Sequence, residues 1–540
     1  MPDVTLVLGL LVAVIALVTA ARKIGVPYPL VLVLGGLALA LAPGLPQIAL
    51  RPELVFVLFL PPLLYQDALN ISYREFRANL PAIMLLATGL VLVTTGAVAL
   101  VAHWATAGTA VPLSWPACVA LGAIVSPTDA VAATAIFQRL GVPRRLLVVL
   151  EGESLVNDAM ALILYTTALA LATGDGTSFS PWLTVGRFLV VGVGSVGLGL
   201  AVGWAVATLR RHLSDPPVET TVSLLTGFAS YLPAYALHLS GVLAVVTTGI
   251  YLGRVGPRFV SSSARLETQA VWAVVTLLLN GLLFVLIGLQ LRAIVAELSP
   301  GLVGTFLGVT GLVSLAVVVV RLAWMFPGAR LARLLTRRQR RPPAEPWQSV
   351  VVAGWAGMGG VVSLAAALAV PQALAGRNLI IVASFGVILV TLVGKGLSLP
   401  WLVRRLGLSA DQSEIREETK ARYKAARAAL ARLDALAAEE WAPPQKVAHL
   451  RAQYEHRSHV LGATLDGHDD DGHDHVAETA GYERLRRETL HAERQLVVTL
   501  RDRGTINDEI LHRIQRELDL EEVRLPSDES EERGVARRSG

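Results

Sequence analysis

Between Val4 and Arg405, apolar residues recur in runs of about 17–27, near the ~20 that a helix needs to cross a bilayer. Short links that are basic or contain Gly and Pro separate them. The pattern predicts thirteen spans, centred near residues 12, 35, 61, 91, 126, 159, 196, 228, 247, 280, 314, 359 and 391. The eighth and ninth are divided only by 237-LHLSG-241, so twelve is the alternative count. Charge favours thirteen. Odd-numbered links carry Arg22, Lys23, Arg74, Arg77, Arg139, Arg144, Arg145, Arg210, Arg211, Arg254, Arg258, Arg265 and the dense arginines of 330–341. Even-numbered links have only Arg51, Arg187, Arg292 and Arg377 on or beside them. The positive-inside rule then places the N-terminus outside and the odd links in the cytoplasm.

Composition agrees: 53% of the 540 residues are hydrophobic, 16% are charged and mean hydropathy is +0.56. The expected fold class is an all-α polytopic membrane protein. Cys118, the single cysteine, excludes an internal disulfide framework. A net charge of +5 gives little support to nucleic-acid binding, because orientation explains much of the arginine. The first run lacks a basic flank before it and has Arg22 and Lys23 after it, the reverse of a signal peptide. We place a transmembrane domain at 1–405 and a charged cytoplasmic tail at 406–540. Within the tail, 411–440 and 480–524 read as solvated helices. Between them, 466-DGHDDDGHDH-475 reads as a low-complexity linker rather than a zinc or nickel site.

Polar residues inside the apolar runs carry the chemistry. The sixth span contains 151-EGESLVNDAMAL-162, although each charge near a bilayer centre costs about 2.5–3.5 kcal/mol on insertion scales. At 100° per residue, Glu151, Ser154 and Asp158 share one stripe, and Glu153 and Asn157 a neighbouring one. In the fifth span, 126-SPTD-129 reads as a helix start inside the membrane, with Ser126 at the N-cap and Pro127 at the first position. That predicts a broken helix, which is tolerable only where it lines a cavity or binds something. The twelfth span, 354-GWAGMGGVVSL-364, is dense enough in glycine to suggest a second interruption. Spans five and twelve run in opposite directions, the signature of inverted repeats with a site at their interface. Asp129 and Asp158, with Thr128, Ser154 and Asn157, then form an oxygen-rich set suited to a hard monovalent cation. The same carboxylates can hold a proton instead, so competition becomes exchange without ATP or a cofactor. A cation channel could use the same ligands. An intramembrane aspartyl protease also pairs two aspartates, but its Gly-x-Gly-Asp segment is missing here.

The stretch 126-SPTDAVAATAIFQRLGVPRRLLVVLEGESLVNDAMALILY-165 closely resembles the bacterial sodium/proton antiporters related to the animal exchangers. So do 59-FLPPLLYQDAL-69, 240-SGVLAVVTTGIYLG-253, 279-LNGLLFVLIGLQL-291, 385-FGVILVTLV-393 and the tail segment 505-TINDEILHRIQRELDLEE-522. The resemblance implies a plasma-membrane homodimer that exchanges cytoplasmic Na⁺ for external H⁺ by alternating access, with K⁺/H⁺ exchange as the alternative. It assigns Asp158 as the cation- and proton-binding carboxylate, with Asp129, Thr128 and Ser154 completing the coordination. An Asn157-Asp158 pair resembles the electroneutral branch. Where the family usually reads Gly-Met-Arg-Gly, this chain reads 357-GMGG-360. Gly359 thus stands in place of the arginine expected to pair with Glu153. Lys395, in the thirteenth span, either supplies the missing charge or snorkels to the cytoplasmic face. Asp67, at the end of the third span, lines the cytoplasmic entry or caps its helix.

Overall fold

A computed structural model describes residues 2–42, 52–173, 181–213, 215–296, 300–335, 346–408, 412–439 and 441–466, with isolated positions between 489 and 521. The chain divides into two compact units, Met1–Ala410 and Asp411–Gly540.

The first unit is helical throughout its described residues, apart from turns and two extended breaks. In chain order come α1 (Pro2–Ile24), α2 (Tyr28–Leu41), α3 (Pro52–Leu54), α4 (Leu60–Asn70), α5 (Tyr73–Met84) and α6 (Val91–Thr106). Then follow α7 (Trp115–Val125), α8 (Val131–Leu140), α9 (Arg144–Thr173), α10 (Pro181–Arg210), α11 (Pro216–Ala236) and α12 (Gly241–Val255). The last six are α13 (Ser262–Ala296), α14 (Val303–Leu335), α15 (Trp347–Ala356), α16 (Val361–Leu368), α17 (Arg377–Leu389) and α18 (Gly396–Arg405). Three π turns join neighbours into longer rods: Val55–Phe59 between α3 and α4, Leu85–Leu90 between α5 and α6, and Val390–Lys395 between α17 and α18. In the first, the Leu60 N–H reaches back five residues to the Val55 carbonyl, just ahead of Pro61 and Pro62, which have no N–H to give.

Every predicted centre falls in a helical rod or, for 126 and 359, in a break between two half-helices. Position is what this agreement establishes. Among the described residues, eight helical segments are by themselves long and apolar enough to cross a membrane.

Both expected interruptions are present, but the first is longer than the sequence suggests. Ser126 does not start a helix. It ends α7, its hydroxyl donating to the Ala123 carbonyl at 3.1 Å. The helix resumes only at Val131, whose N–H is accepted by Asp129 Oδ1 at 2.8 Å. Pro127 has no N–H to give the Ala123 carbonyl, which the Ser126 hydroxyl takes while Ser126 itself stays helical, and the short Asp129 side chain supplies the cap that Ser126 was expected to provide. The second break separates α15 from α16 across 357–360.

The two breaks cross. Asp129 N–H donates to the Met358 carbonyl at 2.8 Å in a single antiparallel bridge, as segments running in opposite directions require. The crossing explains part of the glycine density. A Cβ on Gly360 would lie 2.4 Å from Asp129 Cβ. Apolar packing surrounds the crossing, with Leu30, Val33, Phe284, Ile287, Met358, Leu364 and Ile388 in one buried cluster.

The second unit contains α19 (Gln412–Leu436) and α20 (Pro444–Asp466), packed against each other. α19 matches the first tail helix expected. α20 was not anticipated, although Val447, Leu450, Tyr454, Leu461 and Leu465 recur along one of its faces. Arg451 on α20 pairs with Asp434 on α19. The His/Asp-rich segment beyond Asp466, and most of the helix expected at 480–524, lie outside the described residues.

The crossing makes a prediction. Gly360→Ala should destabilise the protein by about 1–3 kcal/mol, the usual cost of overpacking. Gly359→Ala should cost less, since its new Cβ meets neighbours no closer than 3.2 Å. Thermal melts of the two purified variants in detergent check the order; equal melting temperatures would contradict it.

Candidate functional site

Gly141, in the left-handed region at φ 65°, ends α8, and Pro143 precedes the first turn of α9. α9 then runs unbroken past the crossing and presents both polar stripes. On one stripe, Ser154 Oγ accepts from the Ala130 N–H at 3.3 Å, and Ser154 and Asp158 face a cavity. On the other, Asn157 Nδ2 donates to the Thr128 carbonyl at 3.1 Å and to its hydroxyl at 3.3 Å. Thr128 Oγ1 donates to Glu153 Oε1 at 3.0 Å. The sixth span therefore recognises the broken fifth span through its backbone and through Thr128.

The cavity measures about 60 Å³, several times the roughly 10–15 Å³ that one water requires. Asp158, Asp129, Thr128, Ser154 and Ser363 line it, with Asp67 and Asn280. Val55, Phe59, Leu60, Leu63, Leu64 and Leu283 form its apolar wall. Asp67 is exposed and sits near the end of α4, which is followed by α5 with Arg74 and Arg77 in its first turns. Glu151 is half-buried and does not line the cavity. A second cavity of about 340 Å³ lies further along α9, against Ala159, Leu162, Thr166, Phe56, Tyr231 and His238. Asp158 and Ala159 are adjacent in sequence yet border different cavities.

The expectation that Glu153 lacks a cation is overturned. Arg321 on α14 meets it with both terminal nitrogens, at 2.6 Å to Oε1 and 3.0 Å to Oε2. Only 3% of Arg321 and 1% of Glu153 is exposed. Arg321 Nε donates to the Gly354 carbonyl at 3.2 Å, and its remaining contacts are to the Ala353 carbonyl at 3.5 Å and Thr128 Oγ1 at 3.4 Å. All five guanidinium N–H donors thus have an acceptor. The fork also explains Gly357, where a Cβ would stand 2.1 Å from Arg321 Nε. Gly359 has a different task, donating its N–H to Thr391 Oγ1 at 2.9 Å. Lys395 neither pairs with Glu153 nor snorkels: it is 3% exposed, and its ammonium donates to the Gly357 carbonyl.

Of the residues expected at the site, Asp158, Asp129, Thr128 and Ser154 share the cavity, while Asn157 and Glu153 stand behind Thr128. The Thr128 hydroxyl donates once and accepts twice, so its lone pairs are taken and it supports the site rather than offering a free ligand. Asn280, Ser363, Thr391 and Arg321 were missed. Arg321 had a signal, since it is a charge within the apolar run 303–335 and invites the same question as the acids of α9. Asn280 and Ser363 had none beyond ordinary polarity.

A buried, forked ion pair is costly to break from one side, about 3–5 kcal/mol, whereas replacing both partners is often neutral. Arg321→Met should therefore lower the melting temperature sharply, and the double variant Glu153→Gln/Arg321→Met should recover much of the loss. A double variant no more stable than Arg321→Met would refute the pairing.

Comparison with known proteins points the same way. The family described as "Sodium/hydrogen exchanger, transmembrane" matches residues 10–405. The uncharacterized Na⁺/H⁺ exchanger Rv2287 of Mycobacterium tuberculosis is 38% identical over 96% of this chain and 97% of its own. The Na⁺/H⁺ antiporter ApNhaP of Aphanothece halophytica is 34% identical, and the low-affinity Na⁺/H⁺ antiporter NhaS1 of Synechocystis 35%, each over 76% of both chains. The structure of the sodium proton antiporter MjNhaP1 from Methanocaldococcus jannaschii superposes with a TM-score of 0.59 at 18% identity, covering 75% of this chain and 99% of that one. That likeness shows the fold, and the matched sequence shows the kinship: the chain belongs to the sodium/hydrogen exchanger family, a family of membrane transporters.

Proposed function

We propose that the chain exchanges Na⁺ for H⁺ across the plasma membrane, with Asp158 and Asp129 as the carboxylates that hold the cation or the proton. The observation that carries this reading is the cavity at the helix crossing, where both acids meet Ser154, Ser363 and the unwound backbone in one small space. Oxygen donors and negative charge suit a hard monovalent cation. A proton on Asp158 removes the charge that the cation needs, so the two cargoes exclude each other. Antiport requires that exclusion.

The neighbouring charges fit a one-for-one cycle. Glu153 and Arg321 neutralise each other, and Asn157 is uncharged and engaged with Thr128. Asp129 Oδ1 is engaged by the Val131 N–H, which leaves Asp158 as the group that trades its proton for the cation. Asp67 at the exposed end of the cavity serves as the entry acid, on the side that the positive-inside rule assigns to the cytoplasm. The described conformation is on this reading inward-facing, and the second cavity belongs to the outward path. Na⁺ leaves and H⁺ enters, driven by the proton gradient, and the tail after Arg405 is cytoplasmic. Pairing of two copies, implied by the resemblance, is part of the same proposal.

The decisive experiment presets a pH gradient in proteoliposomes and adds Na⁺, Li⁺ or K⁺. Wild type should dissipate the gradient with Na⁺, and Asp158→Asn should be silent with every cation. A K⁺ response larger than the Na⁺ response would move the assignment to K⁺/H⁺ exchange. Retained exchange in Asp158→Asn would place the carrier elsewhere. Dissipation that continues without any added cation would favour a channel.

A further inference from the structure

Among the buried groups that this cycle leaves without a task, Lys395 is the most demanding. An ammonium 3% exposed, in an apolar rod, forms no ion pair among the described residues. Its partners are the Gly357 carbonyl and, 5.9 Å away, the ring of Trp355.

The location explains the choice. Gly357 is the C-cap of α15, the negative end of that half-helix. A helix broken inside the protein leaves its last carbonyls without partners. Arg321 takes those of Ala353 and Gly354, and Lys395 takes that of Gly357. Four residues before Lys395, Thr391 Oγ1 donates to Val387 at 2.7 Å and accepts the Gly359 N–H at 2.9 Å. Thr391 and Lys395 both lie in the π turn Val390–Lys395, one turn apart, and their partners Gly359 and Gly357 are alternate residues of the extended break. Thr391 and Lys395 therefore grip the extended break at Gly359 and Gly357. Between those points lies Met358, whose carbonyl receives the Asp129 N–H.

We propose that the π turn Val390–Lys395 is a two-point clamp on the second break, and that Lys395 and Thr391 are positioning residues that fix Asp129 in the cation cavity. Neither side chain lines that cavity. Both act through Met358. The clamp rests on the reading of Asp129 as a cation ligand. Lys395 stands near the guanidinium of Arg321 and the carboxylate of Glu153, which already satisfy each other, so its charge serves the α15 end rather than an acid.

The test measures Na⁺-dependent exchange and, separately, stabilisation by Na⁺ in thermal melts, for wild type, Asp129→Asn, Lys395→Met, Lys395→Arg and Thr391→Val. Lys395→Met should raise the half-saturating Na⁺ concentration about tenfold or more, as for residues that orient metal ligands, with a smaller change in maximal rate. Lys395→Arg should restore most of the affinity. Thr391→Val, close to isosteric, should shift affinity in the same direction and carries the test if Lys395→Met does not fold. Unchanged affinity in Thr391→Val and Lys395→Met, with only rate or yield reduced, would overturn the clamp. Tighter Na⁺ binding in Lys395→Met would do so too, by showing that its charge merely repels the cation. If Asp129→Asn binds Na⁺ like wild type, the underlying reading of the site fails instead.

Discussion

Unwinding two helices inside an apolar assembly frees amides and carbonyls that have no water to turn to, and the whole centre of this protein is organised around satisfying them. The Asp129–Met358 bond joins the breaks to each other. Asp129 caps α8, Asn157 holds the Thr128 carbonyl, Arg321 and Lys395 take the end of α15, and Thr391 takes the Gly359 amide. These side chains thus have a structural duty as well as any duty toward an ion. Cost and use are linked, since an unsatisfied polar group in such surroundings is worth several kcal/mol.

Electrostatics then divides the acids. Glu153 is spent on Arg321 and cannot serve as cargo carrier without abandoning a buried guanidinium. Asp158 and Asp129 have the cavity before them and, among the described residues, no such fixed cation. The chain places glycine at 359, where its relatives in resemblance carry arginine, without orphaning Glu153, because the pairing charge arrives from α14 instead. Glycines at 357 and 360 are required by close neighbours, the Arg321 fork and the Asp129 side chain respectively. The glycine run is a footprint of what is pressed against it.

Much of this was legible in one dimension. Apolar runs located the rods, and link arginines gave a consistent alternation. Ser126-Pro127-Thr128-Asp129 and the glycine run marked the breaks, because proline and glycine act locally. Helical periodicity correctly separated the Ser154/Asp158 stripe from the Glu153/Asn157 stripe. What periodicity could not convey was which distant helix faces each stripe. Arg321 lies 168 positions from Glu153 along the chain, and no spacing rule connects them. Lys395 failed for a related reason: length and charge alone suggest snorkelling, while its true partner is a carbonyl exposed only because another helix is broken. The length of the first break was misjudged because two residues could each have capped the helix, and the choice between Ser126 and Asp129 depends on where the second break crosses.

The cavity walls differ in how they are bonded. On one side, α7, α8, α9, α14, α15, α16 and the π turn after α17 are tied by directional hydrogen bonds through the crossing. The facing wall, from the turn at Val55–Phe59 through α4 and part of α13, presents mainly Leu60, Leu63, Leu64 and Leu283 to the cavity, with Asp67 and Asn280 as its polar members. Hydrogen bonds fix angle and register; aliphatic contacts tolerate sliding. The polar contact of Arg139 with the Gly25 carbonyl bridges the first span's end to α8 only at the exposed rim. The protein therefore contains a plane of low shear resistance, and that plane runs through the cavity itself.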